Sequence, residues 1–291
     1  MAACEWLQSE AMRWLCAIAL LLPARGLAQR AEVPEFVHGD ECLFCHRAGI
    51  GSTWQKNRHG VTLRERADAP DLVERLKPPP EVTHFLGSRN HVRFLKKDGY
   101  NNFDIMEPGG HWDKTKFGER CAGCHTTAVD SKTRQFAYIG LDCYTCHGVV
   151  DLNHSADTSL IWLSKKRRGD LHEITATCAQ CHLRGVAKSR STGLPYPNNF
   201  VVGDDLFRDY EVDFSKLDAL NPGDRHVVRN VLDVLKNGSG VTCLSCHRIH
   251  DSSTQKHRFV LTGAACLDCH NAQGPKKDVK PYTVHSALCE Y

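Results

Sequence analysis

The chain has 291 residues, 41% hydrophobic and 24% charged, and a formal net charge of +3. That length suits one large domain or two small ones, and so small a charge gives no ground for nucleic-acid binding. The unusual numbers are 15 cysteines and 17 histidines, and an odd cysteine count excludes a framework of disulfides alone. With 3 methionines and 8% aromatics, the interior is expected to depend on something besides side chains.

The N-terminus reads as an export signal. Trp14 to Leu22 is apolar throughout, far short of the roughly 20 residues of a membrane span. Gly26-Leu27-Ala28 supplies the small residues of a cleavage site. Glu5 and Glu10 suit such a leader badly, whereas Met12-Arg13 gives it a basic start. The expectation is a signal peptide within 1–28, its true start at Met12, and a single mature domain over 29–291. Cys16 has no small residue before it, so no lipid anchor is expected. No other apolar stretch is long enough to span, so the mature protein is expected to be soluble, in the periplasm or outside the cell.

Downstream, helices are predicted at 71–76, 90–97, 159–166, 171–181 and 225–236. The last would be capped by Asp224 and would place Val227, Val228, Val231, Leu232 and Leu235 on one face. Pro78-Pro79-Pro80 breaks the chain, and the run Lys165-Lys166-Arg167-Arg168 reads as a solvated helix end.

Through these segments runs one repeated pattern. Cys42-Leu-Phe-Cys45-His46, Cys121-Ala-Gly-Cys124-His125, Cys143-Tyr-Thr-Cys146-His147, Cys178-Ala-Gln-Cys181-His182, Cys243-Leu-Ser-Cys246-His247 and Cys266-Leu-Asp-Cys269-His270 are all C-x-x-C-H. A four-thiolate zinc ribbon could use Cys121, Cys124, Cys143 and Cys146, and a redox dithiol needs one such pair. Neither requires a histidine after every second cysteine. The pattern is the attachment signal of c-type haem: two thiols bond the porphyrin and the adjacent imidazole sits under the iron. Six covalent haems are therefore expected, with Cys289 left unexplained.

Eleven histidines remain for the second axial positions. Those favoured are His59, which follows Trp54 and precedes Gly60; His154, seven residues beyond His147; His226, at the start of the last predicted helix; His250; His257; and His285. His250 cannot reach the iron that His247 holds, because that haem lies on the other side of its own peptide, so it is expected to serve a neighbour. His38, His84, His91, His111 and His172 are read as polar residues or propionate contacts. Met106 is the one methionine of the mature chain, so nearly all irons would be bis-histidine and of low potential.

These motifs, with Trp54…His59-Gly60, Gly140-Leu-Asp-Cys143-Tyr-Thr-Cys146-His147-Gly148 and Cys178-Ala-Gln-Cys181-His182-Leu-Arg, make the chain similar to exported multihaem cytochromes c. That group includes the tetrahaem acceptor of hydroxylamine oxidoreductase and the decahaem conduit cytochromes. The departure is Val149-Val150, where relatives carry Pro-Gly. The resemblance implies distal roles for His154 and His250. It also implies a mainly α multihaem cytochrome c fold with long loops, little β and a haem-packed core that leaves little room for a haem-free domain. The leading reading is an electron-transfer protein with redox protein partners and no catalytic residue. The alternatives are a multihaem oxidoreductase acting on nitrogen compounds, disfavoured because no C-x-x-C-K motif is present, and a self-assembling subunit of an extracellular haem filament.

Overall fold

A computed structural model describes residues 39–87, 91–164, 170–198, 200–245, 247 and 249–250, all within one compact unit. The expected signal peptide, the Lys165 to Arg168 run, Cys246, Cys266, Cys269, Cys289, His38, His257, His270 and His285 lie outside the described residues.

The first helix, α1 (Gly39–His46), carries the first motif and passes through a π-helical turn (Arg47–Gly51) into α2 (Ser52–Trp54). The chain then builds a five-stranded antiparallel meander of β1 (Leu63–Glu65), β2 (His84–Leu86), β3 (Arg93–Lys97), β4 (Phe103–Met106) and β5 (Trp112–Asp113). Helix α3 (Pro70–Leu76) crosses between β1 and β2, opened by proline at its first turn and stopped by left-handed Lys77 (φ 44°).

Two apolar layers enclose this sheet. Leu63, Leu86, Leu95, Phe103 and Ile105 pack with Phe117, Ala122 and Phe136. Ala69, Leu72, Val82 and Phe85 form a second cluster, flanked by Phe94 and Trp112. Because both faces are covered, Phe94 and Leu95 are apolar on opposite sides, and the polar-apolar alternation that marks a half-buried strand is lost. The predicted helix at 90–97 is therefore corrected to strand β3, where Leu95 pairs with His84 and Ile105. Among the described residues the fold is mostly helix and loop, with one five-stranded and two two-stranded sheets. Strand makes up 16% of the structure, and the sheet from Leu63 to Asp113 contains no motif.

Next come α4 (Lys116–Arg120), α5 (Ala122–His125), the hairpin of β6 (Thr126–Val129) and β7 (Phe136–Ile139), and α6 (Cys143–His147). The helix predicted at 159–166 is a single 3-10 turn, Thr158–Leu160, in its described part. The 171–181 prediction corresponds to α7 (Leu171–His182), which begins with a capping box: Glu173 N–H donates to Asp170 Oδ1 at 2.8 Å, and Asp170 N–H donates to Glu173 Oε2 at 3.0 Å. After β8 (Ala187–Ser189), α8 (Leu206–Asp209) and β9 (Tyr210–Val212) comes α9 (Pro222–Asn237). Its cap is Asn221 and not Asp224, whose N–H donates to Asn221 Oδ1 at 3.0 Å. Val228 and Val231 of α9 pack on Ala176, Ala179 and Leu183 of the α7 region, so an ordinary side-chain core holds the helix bearing the fourth motif.

Candidate metal centres

The described motif cysteines lie on or beside short helical segments, except Cys178 and Cys181, which ride the last turns of the longer α7. α6 shows how such a segment is fixed. Asp142 caps it by accepting from Tyr144 N–H at 3.2 Å, and buried Thr127 donates to Gly140 O and accepts from Asp142 N–H, both at 2.9 Å. Gly140 has φ +88°, and a Cβ there would stand 2.5 Å from Gly60 O. That close approach lets Leu141 N–H bond the carbonyl of His59 at 3.0 Å, which brings His59 against the third motif.

Three predicted distal histidines meet motif histidines of other repeats. The ring centroids of His46 and His154 are 6.0 Å apart, those of His59 and His182 6.1 Å, and those of His147 and His250 5.9 Å. Two imidazoles on opposite sides of one metal, each bonded at about 2.0 Å, have centroids about 6.3 Å apart. The three separations therefore fit an iron between each pair. His250 stands across from His147.

Tautomers agree with that fit. A backbone carbonyl accepts only, so His147 Nδ1 is the protonated nitrogen in its 2.6 Å bond to Trp162 O, and His154 Nδ1 in its 2.8 Å bond to Asp151 O. Each leaves Nε2 with a lone pair. His182 is exposed by area, yet surrounding protein pushes it down to about 4, burial first and then His59, His247 and Arg184. Burial likewise holds His59 and His147 below the ordinary imidazole value, so these rings are neutral, the form that binds metal.

The remaining candidates divide. His125 is pushed down to about 4 by burial and then Arg184, its carbonyl accepts from Thr62 Oγ1 at 2.6 Å, and no imidazole faces its ring among the described residues. His226 is exposed on α9, and the structure brings it to no motif histidine among the described residues. His247 lies near enough to His182 to depress it. Among the weaker histidines, His84 is buried in the sheet, 3.7 Å from Glu65 and stacked edge-on to Phe103, while His91, His111 and His172 are exposed.

Sequence reasoning missed Asn57. Its Oδ1 accepts from His59 N–H at 2.8 Å and its Nδ2 donates to Ile249 O at 2.6 Å, so one buried amide positions two of the facing histidines. The invariant geometry it needs carries no motif. Trp54 flanks the same place, parallel to His59 within 6° and edge-on to His250.

The four cysteines suited to a zinc ribbon do not gather. Cys143 lies on α6, which packs against α1 of the first motif, Cys124 Sγ lies 4.0 Å from Cys181 O, and Cys121 lies beside the sheet core. Among the described residues, no three His, Cys, Asp or Glu side chains converge on one metal position.

Residues 113–191 match the sequence model of the cytochrome c3 family. No curated protein matches. Among solved structures, the outer cell wall cytochrome OcwA superposes with a TM-score of 0.51 and 19% identity over 82% of this chain and 68% of its own. The undecahaem cytochrome from the S-layer of Carboxydothermus ferrireducens gives 0.47 and 18% over 83% of this chain and 44% of its own. Residues 113–191 are thus cytochrome c3-like, within a fold shared with a multihaem cytochrome.

Proposed function

We propose that this protein is an exported electron-transfer protein carrying six c-type haems, and that it passes electrons between redox protein partners without transforming a substrate. The observation that carries the reading is the set of three imidazole pairs, each joining a motif histidine to a histidine outside any motif at 5.9–6.1 Å. Each haem, when bound, supplies a one-electron iron couple.

The chain's residues do the holding. Cys42 and Cys45, Cys121 and Cys124, Cys143 and Cys146, Cys178 and Cys181, Cys243 and Cys246, and Cys266 and Cys269 anchor the six groups. His46, His125, His147, His182, His247 and His270 are the proximal ligands. His154, His59 and His250 close the irons of His46, His182 and His147, and His226, His257 and His285 are the remaining distal candidates. An iron with two imidazoles has no position for a small substrate, and rings fixed through Trp162 O and Asp151 O move little when its charge changes. No helix among the described residues is long and apolar enough to cross a membrane. Haem attachment to these motifs occurs outside the cytoplasm, and the likeness to an outer cell wall cytochrome supports an extracytoplasmic site.

Protein produced in a host competent for haem attachment should give six haems per chain by pyridine haemochrome and intact mass, with negligible carbon monoxide binding when reduced. A colourless, zinc-loaded product would end this reading. Stoichiometric carbon monoxide binding together with turnover of a nitrogen compound would replace it with an enzyme.

A further inference from the structure

The motifs touch each other in an order unlike their order in the chain. Helical segments of different repeats touch: α1 of the first motif packs on α6 of the third, α5 of the second on α7 of the fourth, and α7 on the turn Cys243–Ser245 of the fifth. Cys124 Sγ also lies 4.0 Å from Cys181 O, and Cys181 Sγ 3.9 Å from Gly123 O. Gln180, inside the fourth motif, donates to Thr145 O inside the third at 3.3 Å. The fourth motif therefore contacts the second, third and fifth, whereas the first packs on the third.

The same motif differs in ligand orientation. The planes of His59 and His182 cross at 71°, while the His46–His154 and His147–His250 planes lie within 28° and 27° of each other. Near-parallel imidazoles split the two iron dπ orbitals and give a rhombic low-spin resonance. Near-perpendicular ones leave those orbitals almost degenerate and give a signal of large maximum g value.

We infer that the haem held by Cys178 and Cys181 is the junction of the array, adjoining the haems of the second, third and fifth motifs, and that its crossed imidazoles set it apart electronically from the haems of Cys42 and Cys143. This rests on the electron-transfer reading above. Each thioether lies on the porphyrin edge, so two motifs packed against each other at their cysteines bring two porphyrin edges together. The electron route then runs from the first motif through the third to the fourth and divides there.

The test is low-temperature electron spin resonance on oxidised holoprotein, comparing wild type, His59→Met, and the Cys178→Ala/Cys181→Ala double variant. His59→Met should remove one haem's worth of the large-g signal, leave the rhombic signals in place, and add the near-infrared band of methionine-ligated iron. The double variant should retain five haems, and spin relaxation of its neighbours should slow because a paramagnetic centre beside them is gone. The inference is overturned if His59→Met leaves the large-g intensity intact, or if removing the haem changes no neighbour's relaxation. Should the double variant fail to fold, His59→Met still decides the orientation. A wild-type protein without haem would instead defeat the underlying reading, so the two failures are distinguishable.

Discussion

Replacing Phe103 with alanine removes the ring on which three others converge. Its centroid lies 4.6 Å from His84, 5.1 Å from Phe117 and 5.6 Å from Phe136, and it is fully buried at 0% exposure. A buried Phe→Ala change costs about 3–5 kcal/mol through lost transfer energy and the cavity left behind. The rigid walls here, Leu95 and Ile105 on neighbouring strands, favour the upper half of that range. Phe103→Leu keeps most of the volume and should cost less than about 1.5 kcal/mol. Native-state hydrogen exchange at the amides of β3 and β4 reads the local opening free energy, and the Soret band reports the haems independently. Phe103→Ala should accelerate exchange across the sheet by about three to four orders of magnitude while haem content stays the same. A loss below about 1 kcal/mol, or a loss of haem with sheet exchange unchanged, would refute the view that this sheet is held by its own side-chain core.

Two further outcomes follow from polar contacts. Asp170→Ala deletes the capping-box bond that its carboxylate accepts from Glu173 N–H and should destabilise α7 by about 1 kcal/mol, visible as a lower urea midpoint, whereas Asp170→Asn retains an acceptor and should lose less. Glu107 is held below the ordinary carboxylate value, first by its bond to Lys116 at 2.6 Å and also by Arg93 at 2.7 Å. A carboxyl depressed on folding contributes fully above its unfolded value and loses that contribution as pH falls through the folded one. Thermal melts from pH 6 downward should accordingly show a smaller acid-induced decline in Glu107→Gln than in wild type, and identical declines would count against the pairing.

How much of this was legible in the sequence depends on whether a residue's task is local. The five described motifs needed only their own spacing to be recognised. His59, His154 and His250 stood out by position relative to a motif, and the structure places each opposite a motif histidine. His226 was chosen on helix position alone, and among the described residues it faces no motif imidazole. The β-sheet stayed hidden because Phe94 and Leu95 are apolar on opposite faces, which erases the alternation that marks a strand. Asn57 stayed hidden because its partners, His59 and Ile249, lie at opposite ends of the chain and no spacing rule connects them.

The facing histidines also bear on the timing of synthesis. His154 follows His46 by 108 residues and His250 follows His147 by 103, but His59 precedes His182 by 123. A chain leaving the cell N-terminus first would present its fourth motif with the opposing ring already outside. The first and third would wait until a further hundred or so residues had crossed. Closing contours of about 100 residues is entropically costly, by the scale of about 4.7 kcal/mol estimated for a cross-link of that span. Maturation would then complete itself backwards, with late segments sealing early sites, and a truncation just before His250 would leave the third site altered although the third motif itself is intact.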